Sequence, residues 1–216
     1  MHFQQLSING EDFIGLFGLA TDSYALLSVN FPKIFVLDVP EIRTKIYGSG
    51  LIGLFCAGNS NGLLLPYFVS RENLSFFKKS LKDVNIALLN SEYTAIGNLI
   101  ACNDKAAIVS DKLDKKDIDL ISNVLNVEVF QRKISEHSEV GSCCVATNKG
   151  FIAHWNAENE IKELEEIFKV PGSVSTVNFG FPFPRAGIIA NSNGYIVGKT
   201  TSGIELGRID EALGFL

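Results

Sequence analysis

The sequence predicts an α/β protein arranged as a ring of five similar units, and three observations carry that prediction. Four segments resemble one another, GLFCAGNSNGLLLP from Gly53, GNLIACNDKAAIVS from Gly97, GSCCVATNKGFIAH from Gly141 and GIIANSNGYIVG from Gly187, and a fifth, GLFGLATDSYALLS, begins at Gly15. Their turn positions Gly62, Ala106, Gly150 and Gly194 are 44, 44 and 44 residues apart. Amphipathic stretches of helical period fill the intervals. A unit of this size cannot bury its sheet and its helix alone, and radial closure hides the exposed strand edges.

Each unit opens on an apolar run led by a glycine, read as a first strand. The leading glycine stands 9 residues before the turn position in four units (Gly15 to Tyr24, Gly53 to Gly62, Gly97 to Ala106, Gly141 to Gly150) and 7 before it in the last, Gly187 to Gly194. Asn-Gly, Asn-Lys-Gly or Asp-Lys-Ala then supplies a tight hairpin turn, because Asn, Asp and Gly tolerate positive φ. A second apolar run follows as the second strand. Helical spacing places helices at residues 71–82 with Leu74, Phe77 and Leu81, at 114–126 with Ile118, Ile121 and Leu125, and at 157–169 with Ile161, Leu164 and Phe168. Asp114, Asp117, Glu158 and Glu160 put acid at helix N-termini, where the dipole favours it. Residues 84–89 and 127–130 close their units as strands. The unit therefore reads strand, hairpin, strand, helix, strand.

The last unit ends at its helix, residues 204–214, and the segment 3–8 is a spare strand at the other end of the chain. It is expected to pair into the fifth unit and latch the ring. Five units in 216 residues leave no sequence for a second domain, so a single domain over 1–216 is expected. Its units fall near 11–46, 47–91, 92–135, 136–180 and 181–216, with 1–10 closing the ring. The first is short, since Tyr24 and Gly62 are 38 apart.

Charge narrows the function. Nineteen Lys and Arg against 24 Asp and Glu give a net charge of −5, with no run of like charges, which excludes a broad basic grip on DNA or RNA. No leader pattern opens the chain, and the longest apolar run, Gly50 to Gly58, is too short for a membrane span. A soluble, cytoplasmic protein is expected.

Motifs that would carry chemistry have simpler explanations. Gly48, Gly50 and Gly53 match G-x-G-x-x-G, but strand and hairpin follow where a nucleotide site needs a helix N-terminus. Gly194, Gly198, Lys199 and Thr200 miss the phosphate-cradling loop by one residue. His2, His137 and His154 show no metal spacing, and His154-Trp155 reads as a surface or partner contact. Cys56, Cys102, Cys143 and Cys144 read as buried free thiols on first strands, with no basic neighbour to activate them and Cys143 and Cys144 on opposite faces. No cofactor and no metal are expected. Asn59, Asn61, Asn103, Asn148, Asn178, Asn191 and Asn193 are turn residues. Asn98 is not explained this way: it follows the leading Gly97 where the other units have Leu16, Leu54, Ser142 and Ile188.

The segments GNSNGLLLP, T-A-I-G-N-L-I-x-C-N-D, VEVF, VGS followed by TNKGF, S-T-V-N-F-G and T-T-S-G-I-E-L-x-R-I-x-x-A-L-G resemble the archaeal and eukaryotic translation initiation factor six family, ribosome anti-association factors. The match runs nearly end to end and in order. The resemblance implies the pentein fold, a fivefold pseudosymmetric α/β propeller, which agrees with the ring read from the spacing. It implies a monomeric, non-enzymatic protein that binds the intersubunit face of the large ribosomal subunit, beside the sarcin-ricin loop, through a ribosomal protein with limited rRNA contact. It further implies that binding prevents joining of the small subunit and serves large-subunit maturation. Asn98 matches the family's glycine-asparagine pair, and Gly15, Gly53 and Gly97 match its leading glycines; with Leu54 and Ser142 they are the expected ribosome-binding residues. Leu54 stands where some relatives carry a basic residue, and His154-Trp155 replaces a common His-Pro. Pentein relatives also include guanidine-modifying enzymes with a cysteine nucleophile late in the chain, and here Cys144 is the last cysteine.

Overall fold

The structure, a computed structural model, describes residues 1–216 and contains five three-stranded sheets. In chain order the first four sheets are Gly18–Ala20, Ala25–Ser28 and Glu41–Thr44; Ala57–Gly58, Gly62–Pro66 and Asn85–Leu89; Ile100–Cys102, Ala106–Val109 and Glu128–Gln131; and Cys144–Ala146, Phe151–Ala153 and Gly172–Val174. In each the second strand is central, antiparallel to the first and parallel to the third. A parallel neighbour cannot be reached by a tight turn, so a crossover must return the chain. The helices Arg71–Ser80, Lys115–Leu125, Ile161–Phe168 and Gly203–Ala212 occupy the crossover positions of units two to five. Ser70, Asp114 and Ser202 cap three of them with side-chain oxygens.

The fifth sheet takes its third strand from the other end of the chain. Phe3–Leu6 lies parallel to Tyr195–Gly198, with Phe3 opposite Tyr195 and Leu6 opposite Gly198, and Ile188–Ala190 completes the sheet. His2 joins the closure: its Nε2 lies 2.7 Å from Asp210, which also accepts the Tyr195 hydroxyl at 2.6 Å, and its ring stacks on Phe215.

The expected unit fails in the first crossover. Residues 29–40 form no helix, since Pro32 and Pro40 lack donors and Asp38 turns back at φ +47°. Phe31, Ile34, Val36 and Leu37 are buried there in its place, together with Leu6 and Ile8. The apolar core is five clusters, each shared by neighbouring units; one joins Leu19, Tyr24 and Leu26 of the first to Leu63, Leu65 and Phe77 of the second. Helix Lys115–Leu125 likewise packs on Gly62–Pro66 of the preceding unit, and Gly203–Ala212 on Phe151–Ala153. Stability therefore belongs to the ring and not to its units.

The leading glycines correct a second expectation. They do not lie on the first strands but on single helical turns that precede them: Ile14–Phe17, Ile52–Phe55, Ile96–Asn98, Val140–Cys143 and Pro184–Gly187. Each turn touches the next, and the last touches the first, so they close a circle about the axis. The second residues of these turns are Gly15, Gly53, Gly97, Gly141 and Arg185, the last four at intervals of 44. The fifth unit is thus not shortened, and its leading position is Arg185 rather than Gly187. Packing explains the glycines. A Cβ on Gly53 would overlap the carbonyl oxygen of Gly15, one on Gly97 that of Gly53, one on Gly141 that of Gly97, and one on Gly15 that of Arg185.

Candidate functional site

Five turns around an axis make a channel with two mouths, and the mouths differ in chemistry. At the hairpin end sit Thr21, Asn59, Asn103, Thr147 and Asn191, one per unit. Asn103 Nδ2 donates to the Thr147 carbonyl at 3.1 Å and the Phe168 carbonyl at 2.9 Å, while its Oδ1 accepts the amides of Lys105 and Ala106. Asn59 and Asn191 repeat the arrangement. Each amide clamps its own hairpin and stitches it to the next unit. Asp22 and Asp104 continue the belt, both accepting from Asn148 Nδ2 and receiving the amides of Ser192 and Ser60. The turn reading of these asparagines is correct, but a turn residue needs two of the four bonds that Asn103 makes. Replacing Asn103 with Ala strands buried donors and acceptors on two units, at a cost of about 3 kcal/mol. The expected result is a melting temperature about 10 °C lower, read by circular dichroism.

The opposite mouth is less satisfied. A cavity of about 230 Å³ opens there, lined by Gly15, Leu16, Gly53, Asn98, Glu139, Ser142, Phe181, Phe183, Arg185 and Ala186. Four of the expected binding residues, Gly15, Gly53, Asn98 and Ser142, converge on it. Leu54 is half-buried on the adjacent turn and Gly97 is buried in the ring contact; neither lines the cavity. Asn98, Ser142 and Ala186 share the third position of their turns with Leu16 and Leu54, so Ala186, not Ile188, is the fifth counterpart of Asn98. The Asn98 amide takes no part in the hydrogen bonds that hold the ring, and its backbone N–H alone donates, to Ala95.

Tight tips precede the mouth turns, among them Tyr47-Gly48 and Phe179-Gly180, with Tyr47 80% and Phe179 84% exposed. Glu205 fixes the second tip: buried, it accepts the amides of Gly180 at 2.8 Å and Phe179 at 3.1 Å, the Thr176 hydroxyl and its own Ser202 cap. Burial opposes its charge, yet the hydrogen bonds from Ser202, Gly180 and Thr176 outweigh burial and hold its carboxyl below the usual glutamate range. A depressed carboxyl contributes stability above its unfolded pKa and loses it as pH falls. Glu205→Gln is therefore expected to cost about 2 kcal/mol at neutral pH. In thermal melts the gap between wild type and variant should shrink as the medium is acidified below the ordinary glutamate range.

Behind the mouth the channel narrows to about 20 Å³, walled by Gly18, Gly58, Ile100, Cys102, Cys144, Ile189 and others, with Arg185 lining both spaces. The thiols are not activated nucleophiles. Burial pushes Cys102 up to about 12, and raises Cys56 and Cys144 further, with Arg185 opposing the rise. A basic neighbour to these thiols thus exists, contrary to the sequence reading, but burial overrules it. Cys143 ends the fourth turn rather than sharing a strand with Cys144, and burial lifts it to about 12. His154 is buried, not a surface contact: its Nδ1 accepts the Asn156 amide at 3.3 Å, and Trp155 beside it is exposed. The G-x-G-x-x-G glycines have separate tasks, Gly48 at φ +76° in a tip and Gly53 in the ring contact, and Gly53 lies inside a helical turn only four residues long, Ile52–Phe55. Arg185, Phe181, Phe183 and Glu139 are the mouth residues that sequence reasoning missed. The signal for Arg185 was the 44-residue spacing itself.

Comparison with known proteins settles the family. The eIF-6 family profile matches residues 3–212. The chain belongs to the eIF-6 family. It is 39% identical over 227 residues to translation initiation factor 6 of Pyrococcus horikoshii, covering 100% of both chains. The factor of the same name from Staphylothermus marinus is 39% identical, over 99% of this chain and 98% of the relative. That from Methanosarcina mazei is 37% identical over 98% of each. These eIF-6 relatives are named for translation initiation and not for an enzymatic reaction. No helix is long and apolar enough to cross a membrane.

Proposed function

We propose that this eIF-6 family member is a cytoplasmic, monomeric translation initiation factor that binds the large ribosomal subunit on its intersubunit face and blocks joining of the small subunit, with a part in large-subunit maturation. The ring mouth bearing Asn98 docks. The observation that carries this choice is the contrast between the mouths: amides and carboxylates at the hairpin end are committed to backbone groups and to one another, whereas Asn98 at the other is free beside an open recess. Asn98 and Ser142 supply hydrogen bonds, Leu54 supplies apolar contact, and Gly15 and Gly53 line the recess with backbone while Gly97 packs the ring behind it. A net charge of −5 favours contact with a ribosomal protein, beside the sarcin-ricin loop, over a phosphate grip. The family relationship and the neutral, buried thiols weigh against a guanidine-modifying enzyme.

Co-sedimentation with isolated large subunits tests the reading. Wild type is expected in the subunit pellet, and Asn98→Ala is expected to bind about tenfold more weakly with its melting temperature within about 2 °C of wild type. A large drop in melting temperature would instead make Asn98 a structural residue, and failure of wild type to pellet removes the docking function.

A further inference from the structure

We propose that the mouth is a carboxylate socket, in which the Arg185 guanidinium, with Asn98 and Ser142 lining the same recess, receives one acidic side chain of the protein partner. The inference rests on the docking reading above and deepens it. Arg185 breaks the ring's symmetry: the same position is glycine in the other four units. Its charge has no counterpart in the chain. The ionisable groups acting on it are the thiols of Cys102, Cys56 and Cys144, which burial keeps neutral. Its Nη2 is buried without a hydrogen-bond partner. Glu139, on the same cavity, is engaged by Lys112 at 2.6 Å, and Asp22 and Asp104 are committed to the belt at the far mouth.

A guanidinium stays charged when buried, and an unpaired buried charge costs several kcal/mol. Compensation from outside the chain recovers that cost, and the recess of about 230 Å³, which Arg185 lines together with the narrow channel behind it, is the route by which it arrives. Phe181, Phe183 and Leu16 form apolar walls, and a partner seated over them excludes water and strengthens a charge-assisted bond. One carboxylate matches the charge of one guanidinium. A nucleic-acid backbone does not fit these features, because the recess holds a single cation with Glu139 on its rim and the protein is acidic overall.

Two measurements decide the proposal. In the first, sodium propionate is titrated into ¹⁵N-labelled protein against sodium chloride of equal ionic strength, and the Arg185 Nε–Hε resonance is followed. A saturable shift with propionate alone is expected for the resonance that is absent from Arg185→Met, and no shift overturns the socket. In the second, large-subunit binding is compared across variants. Arg185→Met is expected to bind about tenfold more weakly or worse, with a melting temperature equal to or above wild type, since an apolar side chain relieves an unpaired charge. Arg185→Lys should fall between, keeping charge but losing the fork, and it decides the matter if Arg185→Met does not fold. Variants that bind like wild type, even with a propionate shift, reduce the recess to a site for free carboxylates and overturn the partner role. If wild type itself fails to pellet with large subunits, the docking reading falls with its partner, whereas the propionate titration still decides the socket alone.

Discussion

Removing residues 1–8 is expected to abolish the folded monomer. The strand Phe3–Leu6 is the third strand of the fifth sheet, registered along Tyr195–Gly198, and Tyr195 also donates its amide to the His2 carbonyl at 2.9 Å. Leu6 and Ile8 are buried in the cluster shared by the fifth and first units, and Phe3 stacks on Tyr195 at 5.6 Å. Burial of three such side chains contributes roughly 5–8 kcal/mol, which is comparable to the whole stability of an ordinary domain. The truncated chain also exposes an unpaired edge, a template for pairing with a second molecule. The measurement is size-exclusion chromatography with circular dichroism. Aggregates or unfolded chain are expected, with recovery when the excised peptide MHFQQLSI is supplied in trans. A truncated monomer melting like wild type would show that the ring closes without its latch.

Gly97→Ala is expected to be strongly destabilising for the exchange of one hydrogen atom for a methyl group. The added Cβ would overlap the carbonyl oxygen of Gly53, with the carbonyls of Cys56 and Leu54 each within 3 Å, and all three are backbone atoms that cannot swing aside. The turn must move, and its neighbours on both sides move with it because the five turns form a closed circle. Overpacking of this kind costs about 3 kcal/mol or more, a fall of about 10 °C in melting temperature. Gly207→Ala is the matched control. That position is exposed on helix Gly203–Ala212 with nothing within 4 Å of its Cβ site, so alanine there should stabilise by about 0.5–1 kcal/mol. Equal melting temperatures for the two variants would remove the ring-contact account of the glycines.

The spacing of 44 residues made the hairpins, the helices of units two to five and the spare N-terminal strand readable, because hairpin turns and helical periods are local signals. Ile52–Phe55 and its counterparts were not readable. Four apolar residues are too short for periodicity to separate a helical turn from a strand, and what makes them turns is the circle of backbone contacts. Arg185 was missed by following residue type instead of distance: glycine marks this position only where a neighbour's carbonyl leaves no room, and the fifth turn is the place where room remains. The first crossover escaped because its prolines had to be weighed against a repeat that predicted a helix. Asn98 was legible since the repeat does not require an amide there. Phe181, Phe183 and Glu139 reach the same recess from separate stretches of chain, a juxtaposition that ring closure creates and no local pattern carries.

The central claim is that the Asn98 mouth occupies the large subunit in place of the small one. The direct measurement is a joining assay, in which large subunits are incubated with increasing protein, small subunits are added, and joined ribosomes are separated on a sucrose gradient. The yield of joined ribosomes should fall as large-subunit occupancy rises, and folded Asn98→Ala should need about tenfold more protein for the same effect. An unchanged yield at saturating occupancy would contradict the account.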